Sequence, residues 1–134
     1  MDYPKLRLSI LPQDYAIYSC PLDIDIPNID PVANFLSVTW TPIEVTVVSS
    51  ESPVLDQYKK SIGWKCIKVV GSFDFHEIGV LAGIAVPLAQ SNISIYVIST
   101  YETDYILVDS NKIEMAVSCL TETGHTFVGP VKYS

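Results

Sequence analysis

The sequence predicts an α+β fold in which antiparallel strands alternate with helices, and two stretches carry that prediction. Residues 93–98 and 105–108 are apolar runs on either side of the polar segment 99–104, which is the pattern of a β-hairpin. In the first run, large apolar side chains alternate onto both faces, so we expect a sheet that is covered on both sides. Upstream, residues 73–90 place an apolar stripe at helical spacing, which can pack on the hairpin: Val80, Leu81, Ile84 and Leu88.

Length and composition indicate a globular protein. The chain has 134 residues, of which 49% are hydrophobic and 17% charged, enough apolar material for one ordinary domain or two very small ones. A formal charge of −7 repels nucleic acids and anionic membranes, so neither is an expected partner. Arg7 is the single arginine, so a bound anion would be held mainly by backbone N–H groups or lysines.

The cysteines and the N-terminus indicate an intracellular protein without cofactors. Cys20, Cys66 and Cys119 are far apart and have no second Cys or His at ligand spacing, which predicts reduced, mostly buried thiols and no metal site. The first residues lack the apolar segment of a signal peptide, and no run approaches the roughly 18 apolar residues of a membrane span. We therefore expect a cytoplasmic location.

Short apolar runs predict strands in the first half of the chain: residues 6–11 and 15–20 form two strands or one strand with a break, and residues 35–40 and 45–48 form two more. The last two strands flank a polar turn that ends in Glu44, as the turn of the later hairpin ends in Asp104. The two acids are 60 residues apart, and a recurrence of this length predicts a tandem repeat of one small α/β unit.

Two short helices complete the first half. Residues 30–34 begin with an N-cap aspartate followed by proline, and residues 54–61 follow another proline, so each segment predicts a helix. Gly63 marks a boundary, and we predict a first domain at residues 1–62 and a second at residues 63–134. Whether residues 1–11 pair with their own domain, with the second domain or with another chain is left open by the sequence.

The second domain has the predicted order βαββαβ, the ferredoxin-like layout of an antiparallel sheet with helices on one face. A strand at residues 64–70 is followed by a helix from about Ile78 and by the hairpin. Ser110 or Asn111 caps the last helix, and residues 127–133 supply the final strand. Because the hairpin is apolar on both sides, we expect the open face to pack on another sheet, either of the first half or of a second chain.

Three segments resemble a known family: FLSVTWTPIEVTVV, GVLAGIAVPLAQSNISIY and ISTYETDYILV. They are similar to the tandem ACT-domain proteins of the aspartokinase-like and cytosolic arginine-sensor group, and the resemblance spans residues 8–127. It is most specific in the second domain, where both the Ser-Thr-aromatic-x-x-Asp turn and the Glu-x-Gly-x-x-Ala helix start occur. In the first domain, Trp40, Thr41 and Pro42 stand where Arg-Thr or a similar polar turn is usual.

The resemblance implies tandem ferredoxin-like ACT domains that bind an amino acid between two such second domains, in a homodimer that reports to a regulatory partner protein. The start of the helix would wrap the α-amino and α-carboxylate groups, through Glu77, Ile78, Gly79, Val80 and Leu81. The hairpin turn would face the ligand side chain, through Thr100, Tyr101 and Asp104. Asp74 would border the same pocket.

The chemistry of these residues suits a zwitterion with a cationic side chain. Free N–H groups at a helix start bind a carboxylate, and Gly79 allows close approach to the backbone. Asp104 or Glu77 can pair with a guanidinium, so arginine is the preferred ligand, while lysine, aspartate-family amino acids and other small metabolites stay open. A structural explanation also exists for each: helix packing for Gly79, turn capping for Asp104 and the helix dipole for Glu77.

Two other function classes compete with an amino-acid sensor. An enzyme is not predicted, because no nucleophile and base lie at a recognisable spacing, and His76 and His125 are interpreted as structural. The alternative is a ligand-free module of ACT type that serves protein–protein interaction or dimerisation. Such a module would tolerate Asp104→Ala and fail when its apolar sheet face is made polar.

Overall fold

The computed structural model describes residues 2–25, 35–71 and 78–129. These residues fall into two compact units. The first unit is Gln13–Trp64, and the second unit combines the described residues of Met1–Pro12 and Lys65–Ser134.

The secondary structure of the described ranges is mixed, as predicted. The strands are β1 (Arg7–Ile10), β2 (Tyr15–Cys20), β3 (Leu36–Trp40), β4 (Val45–Ser50), β5 (Lys59–Val69), β6 (Ile95–Ser99), β7 (Asp104–Asp109) and β8 (Thr126–Phe127). The helices are α1 (Ala82–Gln90) and α2 (Ile113–Glu122), with single 3-10 turns at Pro53–Leu55 and Ser110–Lys112. No helix in the described ranges is long and apolar enough to cross a membrane.

The first unit is an antiparallel sheet in the order β3-β4-β2-β5. The predicted hairpin is confirmed, since β3 and β4 pair and Trp40 lies opposite Val45. Alternate residues of β2 and β4 point to one face, where they form a small buried core together with Leu55 of the 3-10 turn: Ala16, Tyr18, Cys20, Val45 and Val47. Counted along the chain from β2, this strand order is that of a ferredoxin-like sheet.

The predicted helix at residues 54–61 is wrong. One 3-10 turn ends at Leu55, and β5 already begins at Lys59, opposite Ser19 of β2. A helix of eight residues is marginal in water, whereas pairing with β2 satisfies the backbone of the same residues in a ladder. The predicted helix at residues 30–34 lies outside the described residues.

The second unit has the chain order β5-α1-β6-β7-α2-β8, which confirms the predicted βαββαβ layout. Its sheet order is β6-β7-β5-β1-β8. β1 lies between β5 and β8, antiparallel to the former, with Leu8 opposite Val69, and parallel to the latter, with Leu8 opposite Phe127. The N-terminal strand, whose pairing was left open, is therefore part of the second unit.

Strand β5 belongs to both units. It has 11 residues, and the boundary between the units falls inside it, after Trp64. Its first residues pair with β2 in the first unit, and its last residues pair with β1 in the second. Gly63, the predicted boundary residue, lies within the strand at φ 79°. The assignment of complete ACT domains to residues 1–62 and 63–134 stays a prediction.

Both helices of the second unit cover one face of its sheet. Ile84 and Leu88 of α1 and Leu120 of α2 pack on a fully buried apolar set from the strands: Leu8, Ile67, Val69, Ile106 and Val108. On the opposite face, Cys66 and Leu107 are fully buried as well. The sheet is thus apolar on both faces at its centre, as the sequence predicted.

The two ends of α2 are held by local hydrogen bonds. Asp109, not the predicted Ser110 or Asn111, caps the segment, because its carboxylate accepts the Asn111 N–H at 2.8 Å and the intervening 3-10 turn leads into the helix. At the other end, Gly124 has a φ of 108° and the His125 N–H reaches the Leu120 carbonyl, which closes the helix. Of the final strand predicted at residues 127–133, the structure shows β8 at Thr126–Phe127; residues 128 and 129 follow outside a strand, and the rest lies outside the described residues.

Candidate functional site

The two predicted ligand-binding segments lie at the same end of the second unit's sheet. The turn at residues 99–104 is fixed there by Thr103, which is 7% exposed and whose hydroxyl donates to the Val69 carbonyl at 2.6 Å. Val69 is the last residue of β5, and from there the chain continues to α1. The turn therefore sits on the strand end that leads to the start of the helix.

Threonine hydroxyls shape this turn. The Thr100 N–H donates to the Thr103 carbonyl at 2.8 Å, and the Thr100 hydroxyl bonds both the N–H and the carbonyl of Thr103. Ser99 donates its hydroxyl to one carboxylate oxygen of Asp104 at 2.5 Å. Tyr101, at the tip, is 81% exposed. The turn thus holds a fixed carboxylate and presents an aromatic side chain outward.

The start of α1 offers backbone donors rather than side chains. Among the described residues, helical hydrogen bonding begins where the Gly83 N–H reaches the Gly79 carbonyl at 2.9 Å. The N–H groups that follow Gly79 therefore belong to the first turn, whose N–H groups in general have no intrahelical partner. The side chain of Val80 is buried in the core, whereas Ile78 is 80% exposed and Leu81 lies at the surface. Among these predicted residues, Val80 can meet a ligand only through its backbone.

The N-terminal segment occupies the open face of the helix start. A Cβ at Gly79 would lie 3.1 Å from the Tyr3 ring and 3.4 Å from the Pro4 ring, and a Cβ at Gly83 would lie 3.0 Å from the Tyr3 Cβ. The close approach that we expected from a ligand is made at these glycines by Tyr3 and Pro4. The helix-packing explanation for Gly79 therefore has direct support in the contacts.

His125 links the N-terminal segment to α1 through two hydrogen bonds. Its role is structural, as interpreted from the sequence. The imidazole is 3% exposed, and its Nδ1 accepts the Leu6 N–H at 3.0 Å. Nε2 must then carry the proton, and it donates to the Gly83 carbonyl at 2.7 Å. One neutral ring thus joins the N-terminal segment to α1. Sequence reasoning missed Tyr3 and this role of His125; the only signal was the pair of glycines four residues apart.

Two predicted site residues, Asp74 and Glu77, lie outside the described residues, as does His76. The remaining predicted residues divide into the helix start and the turn: Ile78, Gly79, Val80 and Leu81 in the first, Thr100, Tyr101 and Asp104 in the second. Within the described ranges there is no group of three or more side chains that could hold a metal ion.

The cysteines are free thiols, as predicted, and two of them are buried. Burial raises the pKa of the Cys66 thiol from 9.0 to about 12. Burial also raises the pKa of Cys20, and the negative charge of Glu44 adds to that rise. Neutral, inaccessible thiols of this kind are poor nucleophiles, so neither is a candidate for covalent chemistry.

Comparison with known proteins identifies the family. Residues 60–122 match the family model of the ACT domain. The chain contains an ACT domain. The match includes β5, α1, the hairpin and α2, so it spans both predicted ligand-binding segments. The resemblance stated from the sequence is confirmed.

The chain is similar to three known proteins. A protein of Agobacterium tumefaciens of solved structure is 30% identical, with a TM-score of 0.87 over 98% of both chains. The human protein CASTOR3P is 34% identical over 55% of this chain, which spans 53% of its length. The cytosolic arginine sensor for mTORC1 subunit 1 of Rattus norvegicus is 36% identical over 42% of this chain and 18% of its own length. The chain thus spans about half of the first curated relative and less of the second.

Proposed function

We propose that this ACT-domain protein is a regulatory sensor that binds a free amino acid, with arginine as the preferred ligand. The carrying observation is the ACT match over residues 60–122, because it contains the helix start and the turn together. The rat relative, named as a cytosolic arginine sensor, supports the choice of ligand. The cytoplasmic location, the homodimer and the regulatory partner belong to the same proposal.

The charges at the two segments suit arginine. First-turn N–H groups of α1 carry partial positive charge and bind an α-carboxylate. Asp104 uses one carboxylate oxygen for the Ser99 hydroxyl, and a carboxylate has about four acceptor sites, so it retains acceptors and its charge for a guanidinium. A net charge of −7 also attracts a cationic ligand. The proposed pocket therefore has an anion-binding end and a cation-binding end.

A second candidate function, a ligand-free interaction module, is favoured by the exposed apolar side chains at the same end of the unit. Ile78, Leu81 and Tyr101 are all exposed there. Exposed apolar groups that lie together are typical of a surface that contacts another protein. In this alternative, the helix start and the turn would meet a partner or a second copy directly.

A thermal-shift screen of the twenty amino acids tests the proposal. A ligand at a hundredfold excess over its Kd, bound only by the folded state, stabilises by about 2.7 kcal/mol. We expect a shift with arginine that Asp104→Asn abolishes, because the amide retains an acceptor for Ser99 but removes the charge. Glu102→Gln is the matched control, since it removes one charge from an exposed position of the same turn.

The competing module makes a different prediction. If none of the twenty amino acids shifts the transition, the sensor is rejected and the module takes its place. Sedimentation of the protein and of the polar variants Ile78→Ser and Tyr101→Ser then measures whether these side chains hold a dimer. A shift that survives Asp104→Asn would also contradict the proposed site, because the cation would have to be bound elsewhere.

A further inference from the structure

A cleft of about 220 Å³ lies in the first unit, away from the helix start and the turn discussed above. It crosses β2, the beginning of β4 and the first half of β5. Its polar border is formed by Ser19, Glu44, Thr46 and Lys59, and Ile17 gives it an apolar wall. The cleft therefore contains one acidic side chain, Glu44, and two basic ones, Lys59 and Lys60.

Glu44 is held in place at one side of this cleft. One oxygen of its carboxylate accepts the Ser19 hydroxyl at 2.9 Å and the Thr46 hydroxyl at 3.2 Å. Ser19 and Thr46 are direct neighbours in the β2–β4 ladder, so both hydroxyls rise from the same face of the sheet. Two hydrogen bonds thus fix the position of the Glu44 carboxylate. Both are made by the same oxygen, so the second oxygen is not used by them.

Lys59 lies on the other side of Ser19, which it faces in the β2–β5 ladder. Within the described part of the chain, Lys59 forms no ion pair with Glu44 or with any other carboxylate. Its neighbour Lys60 differs, because it is paired with Asp56 at 3.2 Å. Two opposite charges therefore border one cleft without neutralising each other.

A neighbouring cavity of about 290 Å³ lacks this property. It is bordered by Glu51, Tyr18, Lys60 and Asp56, but its lysine and its tyrosine are already engaged, so among the described residues that line it Glu51 has no available basic group opposite it. Lys60 pairs with Asp56, and the Tyr18 hydroxyl accepts the Ser52 N–H at 3.0 Å. The cleft at Glu44 and Lys59 is the better candidate because its charges are available.

We propose that the cleft of the first unit binds a small zwitterion, namely a free amino acid with an uncharged side chain. The ligand ammonium would meet the braced Glu44 carboxylate, and the ligand carboxylate would meet the Lys59 ammonium. A volume of about 220 Å³ is below the ~300–1,000 Å³ of sites for drug-sized ligands, which suits a small molecule. The site is in a different unit from the proposed arginine site and does not depend on it.

An NMR titration of the full chain with glycine, alanine, serine or valine tests this site. We expect saturable shifts of the amide signals of Ser19, Thr46 and Lys59. Loss of one charged contact weakens binding by about tenfold or more, and we expect this in Lys59→Met and in Glu44→Gln. Glu44→Gln keeps an acceptor for both hydroxyls, so the sheet is preserved. Glu114→Gln, at an exposed position of α2 in the other unit, is the control that leaves this binding unchanged.

The location of the shifts separates the two sites. Shifts restricted to residues 78–81 and 99–104 would support the proposed function and overturn the second site. The absence of shifts at Ser19, Thr46 and Lys59 up to tens of millimolar amino acid would overturn it as well, whatever arginine does at the turn. Equal affinity of the wild type, Lys59→Met and Glu44→Gln for the amino acid would also overturn the second site.

Discussion

The two hairpin turns of this protein have the same backbone frame but different chemistry. Each begins with a threonine, Thr41 or Thr100, whose hydroxyl bonds the N–H and the carbonyl of the residue three positions later. That later residue is Glu44 in the first unit and Thr103 in the second. The Glu44 carboxylate accepts hydrogen bonds from two hydroxyl groups at the edge of a charged cleft on the sheet, whereas the Thr103 hydroxyl binds the Val69 carbonyl and so holds its turn at the end of β5.

The ladders also correct the repeat that the sequence indicated. Trp40 faces Val45 across the first turn, and Ser99 faces Asp104 across the second. The structural repeat therefore runs from Thr41 to Thr100, an offset of 59 residues, and Asp104 corresponds to Val45. The pairing of Glu44 with Asp104 at an offset of 60 was wrong by one position. One residue of register moves an acid from the turn into the strand, which changes the groups that it meets.

The largest expected effects compare the two cores. Leu55 of the first unit and Leu120 of the second are both fully buried, and replacing either by alanine should cost about 2–5 kcal/mol. Because β5 is a strand of both units, we expect each variant to unfold in one transition at a lower urea concentration. Two separated transitions, one for each unit, would break this expectation. Circular dichroism and tryptophan fluorescence measured together would detect them.

His125 is a feature of the second unit that the first unit's described core does not have. In His125→Ala, the Leu6 N–H and the Gly83 carbonyl lose their partners, and each buried group left unsatisfied costs about 1–3 kcal/mol. Lys5→Met is the matched control from the same segment, because the exposed Lys5 contact with the Thr123 carbonyl is worth less. Equal urea midpoints for the two variants would contradict the role assigned to the imidazole.

The turns themselves should differ in their tolerance of valine. Thr103→Val removes the buried hydroxyl that donates to Val69 and should cost about 1–3 kcal/mol. Thr41→Val removes a hydroxyl from an exposed turn, where water replaces the lost bonds, and should cost about 0.5–1 kcal/mol. Chemical denaturation of both variants ranks the two turns. A larger loss of stability in Thr41→Val than in Thr103→Val would show that the hydrogen bonds of the first turn contribute more than its exposure suggests.

The smallest effect concerns two thiols. The raised pKa of Cys66, about 12, and that of Cys20 favour the neutral thiol in the folded state. Their stabilisation is therefore complete below pH 9 and is lost as the pH rises above 9, for Cys66 toward 12. Glu44→Gln removes one cause of the rise at Cys20, so we expect its pKa to fall slightly, whereas Asp104→Asn should leave it unchanged.

Cysteine ¹³Cβ chemical shifts measured by NMR from pH 8 to pH 10.5 would follow the ionisation of Cys20, whereas Cys66 should stay protonated in this range. A Cys20 whose titration curve is the same in Glu44→Gln and in the wild type would show that the charge of Glu44 does not affect it. Urea midpoints of Cys66→Ala and of the wild type at increasing alkaline pH test the loss of stability, which should be less steep when that thiol is absent.

Much of the fold could be predicted from local sequence. The two hairpins and the order βαββαβ follow from residues that are close in the chain, where period and turn chemistry act directly. Val80, Ile84 and Leu88 of the predicted apolar stripe are buried as well, whereas Leu81 is exposed. The segment after Pro53 was mispredicted because a short helix has little stability of its own, and pairing with β2 decided its conformation. The acidic net charge and the free cysteines could also be predicted from the sequence, since both depend on residue type and spacing alone.

The tertiary structure decided what depends on contacts between distant residues. The sequence carried no signal that β1 would lie between β5 and β8, or that β5 would serve both units. The sequence also did not indicate that Tyr3 would contact Gly79. Nor did it indicate which nitrogen of His125 carries the proton, because its partner Leu6 is more than a hundred residues away in the chain. Pattern and period describe neighbours in the chain, whereas these features follow from which surfaces pack together once the sheet has formed.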